Sequence, residues 1–310
     1  MKSHLKDKVP QGFTTATAEP TTPEQWKLWQ QTNRGWWESN PMRYDWRTKI
    51  PAADFTPEFY AEIDRRFFDD VRTYMPWSLI PFDPLIDFEG LQGKDVLEIG
   101  VGNGSHAQLL ASHSRSFTGI DLTEYAVHST SARLKLRGLN GKVVRMDAEH
   151  LDFADASFDF VWSWGVIHHS ANTGQILREI HRVLRPHGAA TIMVYHRSFW
   201  NAFVVAGLLH GILQGELWKT RSIHMIMQKW TDGALARFYT IEQWKDLVGN
   251  LFAIQDLRIY GSKAEAIPIP SGRLKDFVAR LVPDSLTRAW LNMCQMGSML
   301  VCTVVKESRS

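Results

Sequence analysis

Hydrophobic and polar positions change their spacing twice along the chain. Between residues 22 and 89 the apolar positions recur at helical intervals. Thr22-Pro23-Glu24-Gln25 sets a capping residue, a proline at the first helical position and a capping-box glutamine before Trp26 and Trp29. A short helix is expected there, broken by Trp36-Trp37-Glu38-Ser39-Asn40-Pro41. Thr56-Pro57-Glu58 repeats the start signal, and Phe59, Ile63, Phe67 and Val71 then share one face, which predicts an amphipathic helix of about four turns. From Gly93 short apolar runs alternate with helical segments. Strands are expected at 95–99, 116–120, 142–146, 158–163 and 189–195. The clearest helix is 172–184, with Ile176, Ile180, Val183 and Leu184 on one face and Pro186-His187-Gly188 as its stop. Such alternation implies a mostly parallel sheet covered by helices on both faces. Residues 197–249 read as helical, with a further capping box at Thr240 to Gln243. Two late strands, near 252–260 and 298–305, flank a segment containing Pro268, Pro270 and a helix from Ser271.

The sharpest local signal lies at the first of these strands. Asp95-Val96-Leu97-Glu98-Ile99 runs into Gly100-Val101-Gly102-Asn103-Gly104-Ser105. Gly100, Gly102 and Gly104 remove Cβ atoms where the chain must bend and where a ligand can approach the backbone. A helix from His106 would point its N-terminal N–H groups at that ligand. The glycines stand first, third and fifth; a dinucleotide fingerprint wants the third glycine at the sixth place, which Ser105 occupies. Asp121 closes the second strand about 20 residues past the turn, where a carboxylate suits two vicinal ribose hydroxyls. After the third strand Asp147 can accept from an exocyclic amine and Ala148 can donate its N–H to a ring nitrogen. The fourth strand ends in Ser163-Trp164-Gly165 and leads to His168-His169. All of these fall at the carboxyl ends of strands, where open α/β sheets bind ligands.

Composition narrows the partners. The 310 residues are 44% hydrophobic and carry a formal net charge of +2. No run of Lys and Arg makes a basic stripe, so nucleic acid is not an implied partner. Cys294 and Cys302 lack metal-ligand spacing and read as reduced thiols of a cytoplasmic protein; no metal site is expected. The lysines of residues 1–12 have no apolar segment behind them, unlike a signal peptide. The longest apolar stretch, 199–213, falls short of the ~20 residues of a membrane span and is interrupted by Asn201 and His210. It reads either as a buried helix or as a peripheral membrane contact.

The landmarks Glu98-Ile99-Gly100-Val101-Gly102-Asn103-Gly104, Asp121, Asp147-Ala148, Phe158-Asp159 and Leu184-Arg185-Pro186-His187-Gly188, in this order, resemble the class I S-adenosylmethionine-dependent methyltransferases. Within them the resemblance is nearest the small-molecule group that includes quinone methyltransferases, and it covers roughly residues 90–196. It implies an α/β, Rossmann-like, doubly wound, seven-stranded and mostly parallel sheet with helices on both faces. The implied cofactor is S-adenosyl-L-methionine, with S-adenosyl-L-homocysteine as product. Glu98 and the backbone of Gly100, Gly102 and Gly104 would hold the methionine end, Asp121 with Leu122 the ribose, and Asp147 and Ala148 the adenine. Ser163 and Trp164 would border the sulfonium. The family's usual Pro-Gly pair is here Pro186-His187-Gly188, a longer turn.

The resulting organisation is a flexible tail (1–21), an aromatic-rich helical lid (22–89), a cofactor-binding core (90–196), a helical insert shaping the acceptor site (197–249) and C-terminal strands completing the sheet (250–310). Methyl transfer asks for alignment of an acceptor with the S–CH₃ bond and, for a hydroxyl or acidic carbon, a base. The candidates are His169, His168 and Tyr195. His169 is preferred, since imidazole titrates near neutrality and adjacent side chains diverge. Trp37, Arg43, Tyr44, Trp46, His196 and Tyr239 are expected to line the acceptor pocket, although for Arg43 a surface ion pair with Asp45 is the stronger reading. The expected reaction is O-, C-, N- or S-methylation of a small hydrophobic or aromatic acceptor by a monomer or homodimer. A non-catalytic binding module and an NAD-dependent oxidoreductase are the alternatives, the second disfavoured by Ser105.

Overall fold

The computed structural model describes residues 15, 18–45, 48–229, 231–267, 269 and 272–307. Most of the tail read at 1–21, Trp46 and the start of the helix read from Ser271 lie outside them. Helices α1 (Pro23–Ser39) and α2 (Pro57–Tyr74) precede the sheet. Strands β1 (Asp95–Ile99), β2 (Ser116–Asp121), β3 (Lys142–Arg145), β4 (Phe158–Trp164) and β5 (Leu184–His196) then run parallel. They are connected through α3 (Ser105–His113), α4 (Glu124–Leu136), a 3₁₀ turn at Ile167–His169 and α5 (Thr173–Val183). A π-helix (Trp200–Leu213), α6 (Glu216–Thr220) and α7 (Ile223–Lys229) lead to the short β6 (Phe238–Tyr239) and α8 (Ile241–Gly249). β7 (Ala253–Tyr260), α9 (Arg273–Leu281), α10 (Asp284–Arg288), a π-turn (Ala289–Met293) and β8 (Met299–Val305) complete the order.

The strands lie in the order β3-β2-β1-β4-β5-β8-β7, with β6 beside β5. β8 is antiparallel to both β5 and β7. This is the doubly wound Rossmann-like sheet expected, with two-residue β6 as an eighth strand. Strand alternation feeds two apolar layers. Leu97, Ile99 and Val161 join α5 and α8 on one face; Val96, Phe160 and Trp162 join α2, α3 and α4 on the other. The chain winds away from β1 in opposite senses to reach β2 and β4, so the crevice between their carboxyl ends is the switch point where such sheets take ligands.

Three departures have local causes. The first helix runs through Trp36 and Trp37 to Ser39, because Pro41 restricts only the residue before it, and Asn40 is already the C-cap. Pro186-His187-Gly188 is a bulge inside β5: pairing jumps from Phe158 with Leu184 to Phe160 with Ala189. His187 takes φ +64° there, and its N–H donates to the Lys306 carbonyl at 2.8 Å. The apolar stretch 199–213 is a π-helix that buries only its small residues Ala202, Ala206, Gly207 and Gly211 and exposes Phe203, Leu208, Ile212 and Leu213.

Candidate active site

The glycine turn is held from behind. Gly100 and Val101 donate their N–H groups to the Ile120 carbonyl at 2.8 and 3.2 Å, tying the turn to β2. Arg133 of α4, fully buried, donates to the Asn103 carbonyl at 2.8 Å and to Ser105 Oγ at 3.1 Å, and pairs with Asp64 of α2. Gly102 takes φ +52°, and a Cβ there would meet no atom within 4 Å. Its backbone therefore faces open cavity in a conformation that favours glycine. Gly104 is the left-handed N-cap of α3.

The rim carboxylates follow. Asp121 accepts from the N–H groups of Gly102 at 3.2 Å and Thr123 at 3.0 Å, and from Thr123 Oγ1 at 2.8 Å. Burial raises its pKa against those hydrogen bonds. Asp147 accepts from the N–H of Glu149 at 2.9 Å and from Gln30 Nε2 at 2.8 Å. Glu98 lies beneath the turn, buried, with Oε1 3.7 Å from His106 Nδ1. Burial, and then the nearby Asp121, push Glu98 well above the ordinary carboxylate range. Burial and Arg133 lower His106 to about 3. The histidine is thus neutral at physiological pH, and the contact is not an ion pair.

Helix α1 lies across the carboxyl ends of the strands as a strap. Trp26 Nε1 donates to Glu149 at 2.5 Å and Gln30 holds Asp147, both after β3. Asn33 donates to the His169 carbonyl after β4. Glu38 accepts from the N–H groups of Glu124 and Tyr125 at 2.9 and 3.1 Å, capping α4 after β2. Just past the helix, the Met42 carbonyl accepts from Asn103 Nδ2 at 2.7 Å, in the turn after β1.

Beneath the strap lies a cavity of about 270 Å³. Its wall brings together Gly100, Gly102, Asp121, Leu122, Asp147 and Ala148 at one end; Trp164, His169, Tyr195, Trp37 and Tyr44 also line it. His169 Nδ1 lies 2.6 Å from the Leu235 carbonyl. A carbonyl only accepts, so Nδ1 carries the proton, and Nε2 of the neutral ring is the lone-pair nitrogen. Gly233, at φ +85°, packs against this ring so closely that a Cβ would stand 2.6 Å from Nδ1. Trp37 meets the ring edge-on at 5.0 Å.

Residues 97–192 match the family described as the methyltransferase domain. The chain carries a class I S-adenosylmethionine-dependent methyltransferase domain. It is 41% identical over 100 residues to the phthiotriol/phenolphthiotriol dimycocerosates methyltransferase of Mycobacterium tuberculosis, a match covering 32% of this chain and 36% of that protein. It is 37% identical over 100 residues to the fatty-acid O-methyltransferase of Mycolicibacterium smegmatis, with the same coverage. The match thus spans about a third of these relatives' own length. In fold the methyltransferase domain and its flanks are similar to a Bacillus halodurans protein described as a methyltransferase. That likeness has a TM-score of 0.50 at 18% identity, over 73% of this chain and 98% of the other.

Several expected residues sit elsewhere. Glu98, Gly104 and Ser163 are off the cavity wall; Ser163 is buried and donates to the Ile99 carbonyl at 3.3 Å, joining β4 to β1. His168 is fully buried, and its ring nitrogens find no hydrogen-bond partner among the described residues. Burial, His169 and Arg237 push its pKa far down, so it is an internal neutral ring and not a base at the cavity. Tyr195 reaches the cavity, but burial raises its phenol, which fits a donor and not a base. Arg43 forms a two-pronged pair with Asp54 at 2.7 and 2.9 Å and a longer one with Asp45 at 3.6 Å, so it faces away from the cavity. His196 turns to the Gly297 carbonyl at 2.8 Å, and Tyr239 packs on Trp244 within the core; neither lines the cavity.

The reading of the residues missed Gln30, Asn33, Asn103 and His106, all on the wall. Gln30, Asn33 and Trp37 stand three and four apart on α1. That spacing puts polar side chains on the helix's inward face, a signal available in the sequence.

Proposed function

We propose that the protein transfers a methyl group from S-adenosyl-L-methionine to the oxygen of a small, apolar, lipid-like acceptor. The observation that carries this reading is the single cavity joining bare Gly102 backbone and the Asp121 and Asp147 carboxylates to His169. The residues present suit the cofactor. Gly102 leaves room for the methionine end, Asp121 for ribose hydroxyls, and Asp147 with Ala148 for adenine once Gln30 yields its bond to Asp147. When bound, S-adenosyl-L-methionine supplies a methyl group already activated on a sulfonium. The protein's own share is alignment, worth up to ~7–11 kcal/mol, and removal of the acceptor proton. His169 Nε2 takes that proton as the oxygen–methyl bond forms, while the Leu235 carbonyl and Gly233 hold the ring in place. Trp37, Tyr44 and Trp164 shield the reacting atoms and favour an apolar acceptor. The activities named for the relatives, on dimycocerosates and on fatty acids, support the choice of acceptor class.

Titration calorimetry with S-adenosylmethionine, S-adenosylhomocysteine and NADH tests the cofactor. Micromolar binding of the first two and none of NADH is expected; binding of NADH alone would overturn the reading. A mass-spectrometric screen of fatty acids and hydroxylated lipids then tests transfer. Cofactor binding with no methylated product from any of them would favour a non-catalytic module.

A further inference from the structure

Helix α9 has an apolar stripe that no described residue buries. Leu274, Phe277, Val278 and Leu281 follow the spacing of one helical face. Leu274, Phe277 and Leu281 are 63%, 60% and 67% exposed, and no residue of α9 is buried. The π-helix presents Phe203, Leu208 and Ile212 to solvent in the same way, and Trp218 of α6 is 78% exposed. The π-helix and the chain just before it are fastened to the chain on either side of α9. The rings of Trp200 and Trp290 meet at 4.7 Å, Trp200 Nε1 donates to the Glu265 carbonyl at 3.1 Å, and Ser198 Oγ donates to the Met296 carbonyl at 2.9 Å. The π-helix begins four residues past the end of β5, whose Tyr195 lines the cavity.

The charges on these elements are mostly positive: α9 carries Arg273, Lys275 and Arg280 against Asp276. Lys219, Arg221, Arg273 and Arg280 form no ion pair among the described residues, whereas Glu216 and Asp284 are matched by Lys229 at 2.6 Å and Lys263 at 2.7 Å. We propose that the outward face of the π-helix, α6 and α9 is a docking surface for an anionic membrane. Apolar side chains flanked by unmatched cations are what an interfacial helix presents to acidic headgroups. A second copy of the chain fits worse, since a two-fold interface would bring the same cations together. No helix among the described residues is long and apolar enough to cross a membrane, so the contact lies in the interfacial plane. What the membrane supplies rests on the function proposed above: an apolar acceptor would pass from bilayer to cavity without entering water.

Co-sedimentation of the full chain with vesicles tests the surface, using phosphatidylcholine alone and an equal mixture with phosphatidylglycerol. Binding to the mixture, weakened by salt and slight on phosphatidylcholine alone, is expected. Phe277→Glu should lower partitioning roughly tenfold or more, and Arg273→Ala with Arg280→Ala about tenfold or more, each with an unchanged circular dichroism spectrum. Three results would overturn the proposal: no binding to either vesicle, folded variants that bind like the parent, or a parent dimer that Phe277→Glu splits without any vesicle binding. Vesicle binding by a protein that fails to take S-adenosylmethionine would sink the proposed function and leave the surface standing.

Discussion

Around the carboxyl ends of β1 to β4 each loop is fastened by a polar side chain from elsewhere in the chain. Arg133 grips the glycine turn, Glu38 caps the helix after β2, Gln30 holds Asp147, and Asn33 holds the backbone of His169. Beyond β5 that pattern gives way. The π-helix and α9 turn large apolar groups to solvent and leave cations unmatched. The first flank is built for a ligand whose polar groups are fixed in number and place. The second leaves large apolar groups uncovered among the described residues.

Substitutions test how deep this contrast runs. The largest effect belongs to His169 on the polar flank. His169→Ala should lower kcat about 10²–10⁴-fold in steady-state assays with a methylated lipid acceptor. Calorimetric affinity for S-adenosylmethionine should hold, and an equal loss there would make His169 a binding residue. Next is Arg133→Met, which leaves Asp64 and the turn carbonyl without their buried partner. It should cost about 3–5 kcal/mol in urea unfolding. A loss under about 1 kcal/mol would mean that the turn holds itself. Asp121→Ala removes charge-assisted acceptors for ribose hydroxyls and should weaken cofactor binding about ten- to a hundredfold. Unchanged affinity would refute the ribose assignment. Smallest is Phe277→Ala on the apolar flank, expected within about 0.5 kcal/mol of the parent. A loss of several kcal/mol would show that α9 is core and erase the contrast.

Helices α5 and α9 show where the sequence was legible. Both carry apolar residues at helical spacing. In α5, Ile176, Leu177, Ile180 and Val183 are buried against the sheet; in α9 the matching stripe meets no cover. Periodicity specifies a helix and its apolar face, but not what lies opposite. The glycine turn and the strand-end acids were readable as parts of one cleft because they have few other uses in so regular a pattern, and Gly102, Asp121 and Asp147 all line the cavity. The acceptor end was less so. Arg43, His196 and Tyr239 are chemically apt residues whose side chains are spent on Asp54, the Gly297 carbonyl and the core. The partner of His196 lies far off in sequence, and no local pattern announces it. The burial that neutralises His168 and the contact of Gly233 with His169 are likewise tertiary facts.

The strap formed by α1 has a kinetic consequence. One rigid helix and the few residues after it touch the loops of all four cofactor-side strands. Departure of the helix would break all of those contacts together, so undocking it would be a cooperative event. If the cofactor binds as proposed, its exchange would wait on the departure of that helix. The pace of successive turnovers would be set by a single undocking event, however fast the chemistry beneath it.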